Sequence, residues 1–189
     1  CWIFIAAAAV FDFCDGASAR GLNAYSPIGA ELDSLSDVVS FGVAPAMLML
    51  NTMEQNGTCV WLAFVPLLAA AFGALRLAIF NVDTTQTTPF RGLPIPANAI
   101  CWVGISSWIE QHGYPHPAVI VVLTLVMSVL MVSRMRMFSL KLHSLSVKEN
   151  YKQYLLVLAF VICVGFCGVT GLAWAMLFYI VLSAVTKQD

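Results

Sequence analysis

YKQYLLVLAFVICVGFCGVTGLAWAMLFYIVLSAVT, residues Tyr151 to Thr186, is an apolar block of about 35 residues, too long for one bilayer crossing, which takes about 20 residues at 1.5 Å of rise each. Gly165, Gly168 and Gly171 stand near its middle, so the block reads as two spans, 151 to 167 and 169 to 186, folded back on each other as a C-terminal hairpin. Outward from it, apolar stretches of similar scale recur at roughly 1 to 11, 36 to 53, 59 to 80, 94 to 110 and 117 to 134. The expectation is an all-α, polytopic transmembrane helical bundle of about seven spans. Composition agrees, with 60% hydrophobic and 10% charged residues, where a soluble domain carries about 25% charge.

Nine Lys and Arg against ten Asp and Glu leave a formal charge of -1, so there is no basic field to hold nucleic acid. The six cysteines include no CxxC pair and lie mostly in apolar runs, which argues against a disulfide framework or a zinc site. With seven spans, all nine cations fall on one side of the membrane: Arg20, Arg76, Arg91, Arg134, Arg136, Lys141, Lys148, Lys152 and Lys187. Short cytoplasmic loops retain such residues, so residues 12 to 35 and the C-terminus are expected to face the cytoplasm. The chain would then begin outside, and one further N-terminal span is expected to precede it. No internal repeat is visible, and residues 1–189 are read as a single membrane-embedded domain.

Five of the ten acids, Asp12, Asp15, Glu31, Asp33 and Asp37, lie within 26 residues at the ends of the first two spans. Ionisable groups at membrane depth are costly and mark function. Asp12 and Asp15 at i, i+3 share a face of one helix, and Asp33 and Asp37 at i, i+4 share a face of the next, so four carboxylates can converge. Alone they would repel, and a stable ionised cluster implies divalent cations; oxygen-only ligands point to Mg²⁺ or Mn²⁺. Gly16 and Ala19 lie on the arc of Asp12 and Asp15, and Gly29 stands one turn before Asp33, where small groups admit a close helix or phosphate. Arg20, just beyond, is suited to binding a phosphate bidentately. Metal ions plus arginine suggest a pyrophosphate ligand.

The segment Asp12-Phe-Cys-Asp15-Gly16-Ala-Ser-Ala19-Arg20, followed by Gly29, Asp33 and Asp37, resembles the DxxDGxxARx8GxxxDxxxD signature of the CDP-alcohol phosphotransferases at every fixed position. Within that family, GAELDSLSDVVSFGVAPA (Gly29 to Ala46), LRLAIFN (Leu75 to Asn81) and FRGLPIPANA (Phe90 to Ala99) are similar to the phosphatidylserine synthase branch. The branch more often has Arg where this chain has Ile79. The resemblance implies transfer of a phosphatidyl group from CDP-diacylglycerol to L-serine with release of CMP at a site holding two Mg²⁺ or Mn²⁺ ions. It implies that Asp12, Asp15 and Asp33 are metal ligands, that Asp37 is a ligand, the general base or both, and that Gly16 and Arg20 contact the cytidine diphosphate, with Ala19 and Gly29 giving clearance. It further implies a homodimer among membrane lipid, in a bacterial cytoplasmic membrane with the site facing the cytoplasm.

A serine zwitterion needs a cation for its carboxylate. Arg76 and Arg91 are the unassigned arginines near that face outside the basic connection between the fifth and sixth spans, which carries Arg134 and Arg136, with Asn81 a polar neighbour; the alternative is that both arginines anchor to lipid headgroups. Glu31 is on a different arc from Asp33 and Asp37 and reads as solvated, and Asp83 is acceptor-side or loop. His112 and His116 read as an ordinary loop on the opposite face, and His143 as interfacial. Trp61, Trp102, Trp108, Trp174 and nearby tyrosines read as interfacial anchors or lipid-facing packing, Met47 to Met53 as core or lipid contact, and Pro94 and Pro96 as the start of a helix or a kink. Two rival functions remain open: a family member using glycerol 3-phosphate or inositol phosphate as acceptor, and a divalent-cation transporter.

Overall fold

The fold is that of a computed structural model, which describes residues 2–22, 26–82, 92–133, 135, 137 and 151–185. Helices occur in all seven expected places: α1 (Trp2–Leu22), α2 (Pro27–Asp37) running on into α3 (Ala44–Gln55), α4 (Val60–Ala63) and α5 (Leu67–Val82), α6 (Ile95–His112), α7 (Pro117–Val132), α8 (Tyr151–Cys167) and α9 (Gly171–Val185). Four helical stretches among the described residues are long and apolar enough to span a membrane, namely Trp2–Ala19, Pro27–Gln55, Val60–Val82 and Gln153–Ala184. Pro117–Val132 is a shorter apolar helix. This is a helical membrane protein.

The glycine-rich middle of the last block turns the chain. Cys167 ends α8, Gly168 adopts φ +60, and a single 3₁₀ turn, Gly168–Thr170, leads into α9. A Cβ on Gly171 would run into the Cys163 carbonyl, so only glycine lets the arms close this tightly, and α8 and α9 pack on each other as the expected hairpin.

The second span is longer than its apolar run. Residues 27–35, expected on the cytoplasmic side from the placement of the cations, belong to the helix that continues through the span, with Asp33 and Asp37 on it together. Ser26 starts it, its Oγ accepting the Gly29 N–H at 3.0 Å, with Pro27 in the first turn. Midway, Pro45 has no N–H to give the carbonyl four residues back. The helix widens there into a π turn, Val38–Val43, in which the Ala44 N–H bonds the Val39 carbonyl. Gly42, inside this turn, brings the helix against α5: a Cβ there would lie 3.4 Å from Ala70 Cα.

The third span, expected as one helix, tightens around Pro66. Short i to i−3 bonds such as Leu67 N–H to Phe64 O at 3.1 Å replace α-helical ones between α4 and α5. α6 is the axis of the bundle, burying residues around its circumference from Ile95 to Ile109. Trp102 is 1% exposed; this corrects its assignment as an anchor or lipid-facing side chain, because α6 is enclosed where Trp61 on α4 is not. Met49 and Met53 are also fully buried, while Met47 is partly exposed.

Contacts fix the two ends. Trp2 Nε1 donates to Ser106 Oγ at 3.4 Å, and Thr58 and Tyr114 share a hydroxyl hydrogen bond of 2.9 Å at one end. At the other, the Gly92 N–H bonds the Met135 carbonyl at 2.9 Å and the Leu93 N–H bonds the Leu130 carbonyl at 3.1 Å. The second end carries the carboxylates.

Candidate active site

The site forms where the second half of α1 meets the second half of α2. Asp12 and Asp15 project from α1 and Asp33 from α2, and each offers a carboxylate oxygen within 4.8 Å of the others. Asp12 is half-buried, while Asp15 and Asp33 are exposed. Three carboxylates so close repel unless a cation or protons intervene. Their oxygen-only donor set, drawn from two helices and open on one side, fits a hard divalent cation with room for substrate oxygens.

Asp37 lies one turn beyond Asp33, half-buried, with its carboxyl within hydrogen-bonding reach of Asp12. It is the last residue of α2 before the π turn, so the widening induced by Pro45 begins at this carboxylate. Such turns are frequent at functional sites.

Behind Asp37 stands Arg76 of α5. It is 8% exposed, enclosed by protein rather than extended to lipid headgroups. It lies within electrostatic reach of Asp37 and of Tyr179 on α9, and its Nε has no hydrogen-bond partner among the described residues. Asn81, in the last turn of α5, donates its side-chain N–H to Ser34 Oγ, the residue after Asp33, at 3.2 Å in an exposed hydrogen bond.

The remaining predicted residues divide. Gly16 and Ala19 lie on α1 and are half-buried. Gly29 has a local reason to be glycine, since a Cβ there would sit 2.9 Å from Ser26 Oγ. Arg20 lies in α1, with its side chain outside what is described, and Arg91, Asp83 and His143 lie outside the described residues altogether. Glu31 is exposed and is not among the three clustered carboxylates. His112 stacks on Trp108 at a centroid distance of 5.1 Å, and His116 Nδ1 accepts the Ala118 N–H at the start of α7.

The sequence did not single out Tyr179. A tyrosine inside an apolar block looks like an interfacial anchor, yet this one is 3% exposed. The signal that could have found it is weak: α9 ends at the carboxylate face, and Tyr179 is the polar aromatic two turns before that end.

A helical membrane bundle with an acidic cluster of this spacing defines a class. The chain belongs to the CDP-alcohol phosphatidyltransferase family, whose model matches residues 1–132. It is similar to the CDP-diacylglycerol–serine O-phosphatidyltransferase of Helicobacter pylori, 37% identical over 166 residues that make up 85% of this chain and 67% of that protein. It is likewise 37% identical over 146 residues to the enzyme of that name from Bacillus subtilis, covering 75% of this chain and 76% of the relative. A third relative of that name, from Methanocaldococcus jannaschii, is 46% identical over 104 residues, 54% of this chain and 48% of its own length.

Proposed function

We propose that this chain is a CDP-diacylglycerol–serine O-phosphatidyltransferase, which moves the phosphatidyl group of CDP-diacylglycerol to the hydroxyl of L-serine and releases CMP. The observation that carries this is the meeting of Asp12, Asp15 and Asp33 across two helices in a chain whose relatives bear that name.

Each residue then has a task. Asp12, Asp15, Asp33 and Asp37 hold two Mg²⁺ or Mn²⁺ ions. Bound there, the ions would neutralise the diphosphate and the charge developing on the leaving CMP. Asp37 takes the proton of the serine hydroxyl as that oxygen bonds to the phosphatidyl phosphorus and the bond from phosphorus to the CMP oxygen breaks. Gly16, Ala19 and Gly29 leave room for the nucleotide, and Arg20 binds its phosphate oxygens. Arg76 receives the serine carboxylate, supported by its burial and its unpartnered Nε. Asn81 and Arg91 close the acceptor side. The chain acts as one membrane-embedded domain and as a homodimer, in a bacterial cytoplasmic membrane, with the carboxylates facing the cytoplasm. The placement of cationic residues in the sequence supports that orientation.

The test supplies the protein in detergent or liposomes with CDP-diacylglycerol, Mn²⁺ or Mg²⁺ and labelled serine, and measures CMP release and lipid labelling. Serine-dependent release that vanishes in Asp37→Asn is expected. Release that requires glycerol 3-phosphate or inositol phosphate instead would overturn the serine assignment.

A further inference from the structure

Away from the carboxylates, the described residues enclose a groove of about 260 Å³, open on one side. α6 supplies its floor at Ile105 and Ile109, α7 one wall at Val119 and Leu123, and α9 the other at Trp174 and Leu177. α6 begins at the carboxylate end, and Ile105 lies ten residues after Ile95, about 15 Å along the helix. The groove therefore occupies the opposite half of the bundle.

Its walls have separate supports. α9 packs on α6 and α8, whereas α7 packs on α5. A Cβ on Gly104 of α6 would collide with the backbone nitrogen of Ala173, so α9 is pressed backbone to backbone onto the floor helix. The space over Ile105 and Ile109 is left for another occupant.

The chemistry of the lining selects that occupant. It is almost wholly apolar, and the hydroxyl of Thr170, which also lines it, is already donated to Ser107 Oγ at 3.2 Å. Water gains nothing in such a cavity. Val122 and Val126 of α7 and Val181 of α9 are exposed, and on spanning helices such side chains meet lipid tails, which are as apolar as leucine. A cavity of about 150 Å³ accepts benzene, so this one takes about ten carbons in a row, whereas a helix about 10 Å across is too wide. We propose that the groove holds one acyl chain of a bilayer phospholipid, drawn from the leaflet remote from the carboxylates, and that this chain fills the gap between α7 and α9 as a fixed part of the bundle. It is not the substrate lipid, whose diphosphate has to reach Asp12 and Asp33 at the other end.

The test delipidates the full chain in detergent, supplies palmitoyl-oleoyl phosphatidylglycerol, and counts retained lipid by mass spectrometry of the intact protein. One lipid per chain that resists washing is expected, and phosphatidylcholine with the same chains should be retained alike, because the groove reads the chain and not the headgroup. Val119→Trp and Leu177→Trp, at exposed positions on the two walls, put an indole into the groove and should each weaken retention about tenfold, the worth of about two buried methylenes. Val122→Trp, exposed on α7 and outside the lining, should retain lipid as the wild type does. Added lipid should raise the melting midpoint of the wild type and of Val122→Trp more than that of the two groove variants. A wild-type chain that keeps no lipid, or the same retention in all four proteins, would overturn the proposal. So would a lipid-free dimer that Val119→Trp dissociates, which seats a second copy in the groove, and so would retention of CDP-diacylglycerol in preference to phosphatidylglycerol, which makes the groove part of the substrate's path.

Discussion

Asn81 at the end of α5 donates to Ser34 Oγ on α2 at 3.2 Å, tying the helix that carries Arg76 to the helix that carries Asp33 and Asp37. The bond sets the relative rotation of the two helices at the mouth of the site. Ser34→Ala and Asn81→Ala should therefore each lower serine turnover, and the double variant should be no worse than the poorer single one, since both remove one interaction. The bond is exposed, so about 0.5–1 kcal/mol is expected for the coupling. A much larger effect for Asn81→Ala than for Ser34→Ala would mean that Asn81 also touches the acceptor directly.

The acidic cluster should make activity strictly metal-dependent. EDTA is expected to abolish CMP release, and Mg²⁺ or Mn²⁺ to restore it. Asp12→Asn, Asp15→Asn and Asp33→Asn should each reduce kcat by about a hundredfold or more, with a weaker response to added metal. Full activity in EDTA would remove the carboxylates from the chemistry.

The same crowding predicts a stability signature independent of turnover. Three carboxylates within 4.8 Å of one another repel when nothing neutralises them. In EDTA, Asp15→Asn should melt higher than the wild type. Saturating Mn²⁺ should raise the wild-type midpoint more than that of the variant, because only the intact site gains full binding energy. Thermal unfolding in detergent with and without metal checks both signs.

Close helix contact at Gly42 should be intolerant of bulk. A Cβ there already meets Ala70 Cα at 3.4 Å, so Gly42→Ala should be nearly tolerated, whereas Gly42→Leu should cost about 1–3 kcal/mol by overpacking. The larger variant should also lower turnover, since Gly42 lies in the π turn that comes directly after Asp37. A stable, fully active Gly42→Leu would show that α5 can move away from this crossing at little cost.

Much of this protein is written in local patterns. The length of the apolar block from 151 to 186 and its glycines imposed a hairpin, because no single crossing takes so many residues and only glycine permits the approach of Gly171 to Cys163. Likewise, i, i+3 and i, i+4 spacings put Asp12 with Asp15 and Asp33 with Asp37 on common faces whatever the rest of the chain does. Other features were invisible at that level. The cap at Ser26 and the π turn after Asp37 carry no such local signature, and Trp102 reads as an anchor until α6 is seen to be enclosed.

Near neighbours along the chain thus settled the helices, the hairpin and the paired carboxylate faces, through the period of the helical hydrogen bond and the thickness of a bilayer. Helix packing, in contrast, was needed to bury Arg76 near Asp37 rather than extend it to lipid, and to bring Tyr179, about one hundred residues away in sequence, into its field. Those outcomes depend on how helices cross, and a crossing is settled by which small residues let two backbones touch, as Gly42 does with Ala70 and Gly104 with Ala173.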